Sequence, residues 1–138
     1  MYPYTRDWFP NFRTDAIKIY SDENMKAHVI TVIQAIQMLV DHSFDSDTLI
    51  ALVEKMARMH LHKSVTTIEV EIFWKCFLRQ MKIAMGGRFN SKREKAWARF
   101  LALHNKIYRQ VEDQWLEESD QTMNNFEKKL RGQKSFAV

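Results

Sequence analysis

The chain has little of what small secreted proteins and membrane proteins depend on. Cys76 is the only cysteine among its 138 residues, which excludes an internal disulfide and is typical of a reducing compartment. No apolar run reaches the length of a membrane span, and the first residues lack the apolar core of a signal peptide. We therefore expect a cytoplasmic protein that does not associate with membranes.

Glycine and proline are also scarce, with three and two residues, whereas hydrophobic residues make up 46% of the chain. So few turn formers between long periodic segments predict an all-α protein, and the length suits one domain. The Gly-rich phosphate loop, Cys-x-x-Cys, Gly-x-Ser-x-Gly and His-Glu-x-x-His are all missing from the sequence. We expect a binding protein rather than an enzyme, with a secondary redox activity left open.

The net charge of +4 is distributed unevenly. Near the C-terminus Glu127 is outnumbered by the basic residues Lys128, Lys129, Arg131 and Lys134. A solvated basic tail explains this better than nucleic-acid binding, so we expect no nucleic-acid partner. The sequence divides into a helical domain at residues 1–125 and a basic C-terminal tail at residues 126–138.

Apolar periodicity and capping residues predict the helices of the first half. Residues 1–9 could form a short helix, which Phe9-Pro10 ends because a residue before proline avoids helical geometry. A helix is predicted over 22–40 and another over 47–61, each beginning near an Asp or Ser cap.

Two further helices are predicted in the second half. Thr66-x-x-Glu69 resembles a capping box, and the helix it begins should end at Gly86-Gly87. Ser91-x-x-Glu94 resembles a second capping box and begins a long last helix. We expect that helix to fray near Asn124-Asn125.

Two histidines lie on apolar helix faces. His28 lies on the stripe that includes Val32 and Ile36, and His60 ends the stripe that includes Val53 and Met56. Either histidine alone is more often a core or boundary residue than a ligand. Two imidazoles facing inward from two helices can, however, hold a flat metal-bearing group between them, because imidazole is the commonest metal ligand.

Three segments resemble a known family in order and spacing. Phe9-Pro10-Asn11-Phe12 looks like the C helix of globins and the corner after it, where one phenylalanine stacks on the haem and another closes the pocket. Met25-Lys-Ala-His28-Val-Ile-Thr-Val32 is similar to helix E with its distal histidine. Met56-Ala-Arg-Met-His60 resembles the end of helix F with its proximal histidine.

The resemblance extends over roughly residues 1–120. Val65, Val70 and Phe73 fall where globins line the haem from the corner after helix F and from helix G. Gly87-Arg-Phe-Asn90 is similar to the turn between helices G and H, and Trp97 stands where many globins have a tryptophan. The two histidines are 32 residues apart, which is closer to neuroglobin-like and invertebrate globins than to myoglobin.

This resemblance implies a globin-like all-α fold with helices C, E, F, G and H around a haem pocket, and haem b as the cofactor. It implies His60 as the proximal iron ligand and His28 as the distal residue. The expected function is reversible binding of dioxygen or another diatomic gas, as in oxygen transport. The residues implied to contact haem are Phe9, Phe12, His28, Val32, Met56, His60, Val65, Val70 and Phe73.

Two alternatives stay open. His28 could donate a hydrogen bond to a bound gas, or it could become the sixth iron ligand. The second arrangement, bis-histidine ligation, slows gas binding and favours electron transfer or sensing. The other alternative is a helical interaction module that keeps the scaffold without haem.

The sequence departs from globins mainly at its front, since the resemblance begins at the C helix and helices A and B have no counterpart. Helix B normally packs across helix E, so an exposed apolar groove there predicts dimerisation or poor solubility. Thr31 stands where many globins have a basic residue near a haem propionate, and Met59 stands where vertebrate myoglobins have a serine.

The remaining histidines and the cysteine are expected to have no ligand role. His42 falls in a loop, and His62 points away from His60 because two residues on a helix do not share a face. His104 is expected to pack in the core, with a position facing the pocket as the alternative. Cys76 falls in the middle of a helix, where we expect it to be buried and inert.

Overall fold

The structure is a computed structural model that describes residues 21–134, with side chains described as far as residue 129. The prediction of an all-α protein is confirmed. Phe9, Phe12 and the short helix predicted over residues 1–9 lie outside the described residues. The four α-helices are α1 (Glu23–Asp41), α2 (Ser46–Leu61), α3 (Thr67–Met85) and α4 (Ser91–Lys134), and a 3₁₀ turn (Gly86–Arg88) joins the last two.

Side-chain caps fix the beginnings of the first three helices. The carboxylate of Asp22 accepts hydrogen bonds from the backbone N–H groups at the start of α1, and Asp45 does the same for α2. The capping box predicted from Thr66 and Glu69 is confirmed at the start of α3. Such caps satisfy N–H groups that have no partner inside the helix, which stabilises each end by about 1 kcal/mol.

The predicted Ser91 capping box is wrong. Asn90 precedes α4, and its side-chain oxygen accepts a hydrogen bond from the Arg93 N–H at 3.1 Å. Glu94, the expected second half of the box, instead forms an ion pair with Lys82 of α3. Asparagine is as good an N-cap as serine, so the helix begins at the predicted place with a different cap.

The turn between α3 and α4 depends on a glycine. Gly86 follows the last residue of α3 and has a φ of +53°, a conformation that side-chain-bearing residues rarely adopt. This confirms the predicted end of the helix. The turn reverses the chain, so that α3 and α4 run antiparallel.

The core is formed mainly where α2 and α3 pack on α4. Val53 and Ala57 are fully buried, the former beside Ile107 and the latter beside Tyr108. Between α3 and α4 the contacts are largely aromatic, with Phe77 edge-on to Trp97 at a centroid separation of 5.6 Å. Aromatic edge-to-face pairs add about 0.5–1.5 kcal/mol each to the burial of their area.

Helix α1 contributes only a few buried side chains to the core, and most of its surface is exposed. Leu39 packs beside Val53, and Ile36 packs against the cluster around Trp74. Val29, Ile30 and Ile33 are exposed. The structure therefore leaves apolar side chains of α1 exposed, and the dimerisation expected from such a groove stays a prediction.

Two further expectations fail. Cys76 is exposed, because it lies about 200° around α3 from the buried Trp74 and so faces outward. The last helix does not fray at Asn124-Asn125 but continues to Lys134. Asparagine costs a helix only about 0.7 kcal/mol relative to alanine, which does not end a helix that contains neither proline nor glycine there.

None of the helices in the described part of the chain is both long and apolar enough to cross a lipid bilayer.

Candidate functional site

His60 lies in the last turn of α2, and its ring is oriented by its own helix. Its Nδ1 lies 2.8 Å from the carbonyl oxygen of Met56, one turn earlier. A carbonyl can only accept, so Nδ1 carries the proton and donates it. The lone pair of the neutral ring is then on Nε2, the atom available to a metal.

The backbone of His60 is held by the turn that follows α2. Its carbonyl accepts the Val65 N–H at 3.0 Å, while the Ser64 N–H donates to the Leu61 carbonyl at 2.9 Å. Ser64 has a φ of +59°, so the helix ends in a Schellman motif with serine at the position usually occupied by glycine. This left-handed serine costs about 1 kcal/mol or more, offset by the carbonyls it allows the turn to satisfy.

Tyr108 connects this turn to the core. Its ring is buried between α2 and α4, and its hydroxyl donates to the Val65 carbonyl at 2.8 Å. Burial and the neighbouring charges of Glu112 and Glu69 raise the pKa of Tyr108, so the phenol stays protonated and remains a donor. The segment carrying His60 is thus fixed by a hydrogen bond from the domain interior.

His28 of α1 lies within electrostatic range of His60. Its pKa is lowered, first by burial and then by the charges of His60 and Lys63. The half-buried ring is therefore biased toward its neutral form. The two histidines that the sequence singles out thus lie on two different helices and interact electrostatically.

His104 of α4 is a third imidazole, and it is buried with 3% of its surface exposed. The Trp74 indole N–H donates to its Nδ1 at 3.3 Å. The Asn105 side-chain oxygen lies 3.2 Å from the same nitrogen. An indole N–H can only donate, so Nδ1 is the acceptor, and the Asn105 amide fits best with its nitrogen turned toward the ring.

The pKa of His104 is lowered, mainly by burial and further by the charge of His60. The expected core position of His104 is confirmed by its burial.

The other residues that the resemblance implies as haem contacts differ in how exposed they are. Val32 and Val70 are partly buried against the cluster of Trp74 and Leu101. Met56 is partly buried against the cluster of Leu49 and Val53. Val65 is partly buried in the turn, and Phe73 is 40% exposed on α3.

A separate surface hollow of about 260 Å³ is lined by Ala102, Asn105, Lys106, Arg109, Gln110 and Asp113. All of these belong to α4, and at 100° per residue they centre on the side opposite His104. The hollow is smaller than most small-molecule sites and is lined by charges. It is therefore not the place where the histidines could hold a ligand.

The three imidazoles do not form a site for a bare metal ion. Within residues 21–134 no group of three or more His, Cys, Asp or Glu side chains could hold such an ion. One or two histidines suffice when a macrocycle supplies the remaining ligands, as in haem. The donor set of His60 and His28 therefore fits a haem better than a structural zinc site, which needs four protein ligands.

The sequence interpretation missed the residues that support His60. Neither Ser64 nor Tyr108 was assigned a role. Ser64 ends the helix in an unusual backbone conformation, and Tyr108 reaches the turn from a position 43 residues away from Val65. The sequence did contain one indication, the short junction Lys63-Ser-Val-Thr-Thr67 after the histidine. Because this junction has no glycine, another residue has to adopt the backbone conformation that ends the helix.

Two comparisons with known proteins identify a family for the chain. The family model described as Globin matches residues 1–107. The chain is 28% identical over 83 residues to Globin-1 of Anadara broughtonii, a match that covers 60% of this chain and 55% of that protein. The chain thus spans about half the length of this curated relative. No solved structure gives a significant match.

The lowered pKa values of His104 and His28 predict that acid destabilises the chain. Both groups titrate near pH 6.5 when unfolded and lower when folded, so the unfolded chain binds more protons below that pH. The free energy of unfolding should be constant above about pH 7 and fall as the pH drops below about 6.5. Urea unfolding at a series of pH values, without added haem, measures this.

The variant His104→Gln keeps a hydrogen-bond acceptor for Trp74 but cannot titrate, so its loss of stability in acid should be smaller. His42→Gln, in the turn after α1, controls for the removal of one imidazole. If acid reduced the free energy of unfolding equally in His104→Gln and in the unaltered chain, protonation of His104 would not be a cause of the acid sensitivity.

Proposed function

Because the chain belongs to the globin family, we propose that it holds haem b between His28 of α1 and His60 of α2 and binds a diatomic gas, dioxygen or another, reversibly. The observation that carries this proposal is the orientation of His60, whose Nδ1–H is committed to the Met56 carbonyl while Nε2 keeps its lone pair. The bound haem supplies the iron at which a gas binds and electrons are exchanged.

His60 is the proposed proximal ligand. The hydrogen bond to Met56 selects the tautomer, restricts rotation of the ring and increases the basicity of Nε2. The Schellman turn and the Tyr108 hydroxyl hold the backbone, so the ring is positioned before a ligand arrives. Pre-positioning of this kind reduces the entropy lost on binding.

His28 is the proposed distal residue. Its lowered pKa keeps the imidazole neutral at physiological pH, and a neutral ring can donate one hydrogen bond while keeping a lone pair. It can therefore stabilise a bound gas or bind iron itself. Lys63, whose charge contributes to that lowered pKa, adds a cation near the site that would attract the haem carboxylates.

The remaining contacts of the proposed site are apolar. Val32, Met56, Val65 and Val70 are partly buried and supply aliphatic walls, and the exposed ring of Phe73 is apolar area that a macrocycle could cover. We assign Phe9 and Phe12 to the same pocket from the family resemblance, and they lie outside the described residues. A single cysteine and the absence of a disulfide support a cytoplasmic location.

The proximal assignment predicts that His60→Ala loses haem. Removing the ligand should weaken haem binding by more than about 100-fold, since losing an outer partner alone costs 10- to 100-fold. The melting temperature in the presence of haem should fall toward that of the haem-free chain, because a ligand bound to the native state stabilises it. Haem titration followed by the Soret absorbance, together with thermal unfolding, measures both.

His62→Ala is the matched control. His62 is two residues away, at the end of the same helix, and lies edge-on to Trp115 at a centroid separation of 4.3 Å. Its removal should leave haem affinity unchanged. If His60→Ala behaved like His62→Ala in both measurements, His60 would not be the haem ligand. If the unaltered chain also bound no haem, it would be a haem-free helical interaction module on a globin scaffold.

A second candidate function is redox or sensor chemistry with both histidines on iron. The electrostatic interaction of His28 with His60, which adds to the effect of burial on the pKa of His28, favours it specifically. Six-coordinate iron slows gas binding and suits electron transfer.

His28→Leu separates the two functions. In the redox case the reduced protein should lose its sharp, split visible bands and become five-coordinate, with carbon monoxide binding at least about tenfold faster. In the gas-binding case the spectrum before gas should change little, and gas dissociation should accelerate through loss of a hydrogen bond worth about 1 kcal/mol. His42→Leu should have neither effect, and equal effects of the two variants would remove His28 from the site.

A further inference from the structure

Helix α4 extends well beyond the part of the chain that forms the core. Val111 is its last buried residue and Trp115 is partly buried, whereas every residue from Leu116 to Lys129 is exposed. These 14 residues, which we term the α4 extension, span about 20 Å of helix. A helix of that length is marginal in water by itself, so a packing partner would stabilise it.

The α4 extension has an apolar stripe. Leu116, Met123 and Phe126 are 56%, 58% and 57% exposed. Their spacing of seven and then three residues places them on the a and d rows of a heptad, and the sequence continues the stripe with a leucine at position 130. Such a row indicates a partner helix lying alongside.

The charges of this region are segregated along the helix axis. Residues 112–120 contain five acids and no basic residue, residues 121–126 contain no charge, and residues 127–134 contain four basic residues against one acid. Within a single chain the two charged segments lie on one helix and do not meet. Two acids already have partners, since Glu112 accepts a hydrogen bond from Thr67 and Glu118 pairs with Arg58.

We propose that the α4 extension pairs with the α4 extension of a second copy, antiparallel, to form a homodimer. Antiparallel pairing places the acidic segment of each copy against the basic segment of the other, and brings the two stripes together around Met123. A parallel pair would place acid against acid and base against base. This interface is distinct from the exposed face of α1, and it does not depend on haem binding.

The first test is the mass of the full chain in solution, measured by sedimentation equilibrium under reducing conditions so that the exposed Cys76 does not cross-link copies. We expect a concentration-dependent dimer. Its dissociation constant should rise with salt, because attraction between opposite charges is screened over about 8–10 Å at moderate ionic strength. A monomer at all concentrations, or a dimer that salt strengthens, would overturn the proposal.

Two substitutions in the stripe test the interface. Met123→Asp with Phe126→Asp should raise the dissociation constant at least tenfold, since it forces charges against an apolar row. Gln121→Asp with Asn124→Asp adds the same charge on other rows of the same helix and should preserve the dimer. A dimer unaffected by the first pair would place the interface elsewhere and overturn the proposal.

A charge exchange tests whether opposite charges pair across the interface. The double variant Glu117→Lys with Asp120→Lys makes the α4 extension basic, and the double variant Lys128→Glu with Lys129→Glu makes it acidic. Each variant alone should be monomeric, because two copies of it would bring like charges together. An equimolar mixture should restore a dimer containing one copy of each. Two variants that stay dimeric alone, or a mixture that stays monomeric, would contradict the charge pairing.

Discussion

The packing of α2 against α4 determines where His60 lies, and the rest of the candidate site depends on it. Ala57 and Leu61, on either side of the histidine in the helix, are buried beside Tyr108 and Val111. The same tyrosine donates to the turn after α2. Loss of the Tyr108 contacts would therefore release both the face of α2 and the turn after it, which together determine the position of the His60 ring.

Electrostatics make the same site sensitive to protonation. Burial lowers the pKa of both His28 and His104, and the charge of His60 lowers each of them further. Neutral imidazoles are the form that binds iron, so the burial that prepares the site for a metal also makes it less stable in acid. His104 lies in the core, where it accepts a hydrogen bond from Trp74.

The sequence was sufficient for features that depend on local pattern. Apolar periodicity predicted the helices, and short-range motifs such as Thr66-x-x-Glu69 and Gly86-Gly87 predicted where α3 begins and ends. His28 and His60 could be singled out because each lies on an apolar stripe and the spacing between them resembles a known family. Phe9 and Phe12, which the same resemblance assigns to the pocket, lie outside the described residues.

Features that depend on distant partners could not be read from the pattern. The bond between Trp74 and His104 joins residues 30 positions apart, and Ser64 adopts a conformation for which its residue type gives no signal. Cys76 was expected to be buried because it falls in the middle of a helix, and only the packing shows which side of that helix faces outward. The continuation of α4 past Asn124 likewise reflects the absence of a strong helix breaker rather than a positive signal.

The most direct measurement is the ultraviolet–visible spectrum of the purified chain with haem, reduced, before and after carbon monoxide. Haem held through His60 predicts a strong Soret band that shifts when the gas is added. Visible bands that are sharp and split before the gas would indicate both histidines on iron, and a broad five-coordinate spectrum would indicate gas binding. A chain that develops no Soret band with added haem would contradict the account.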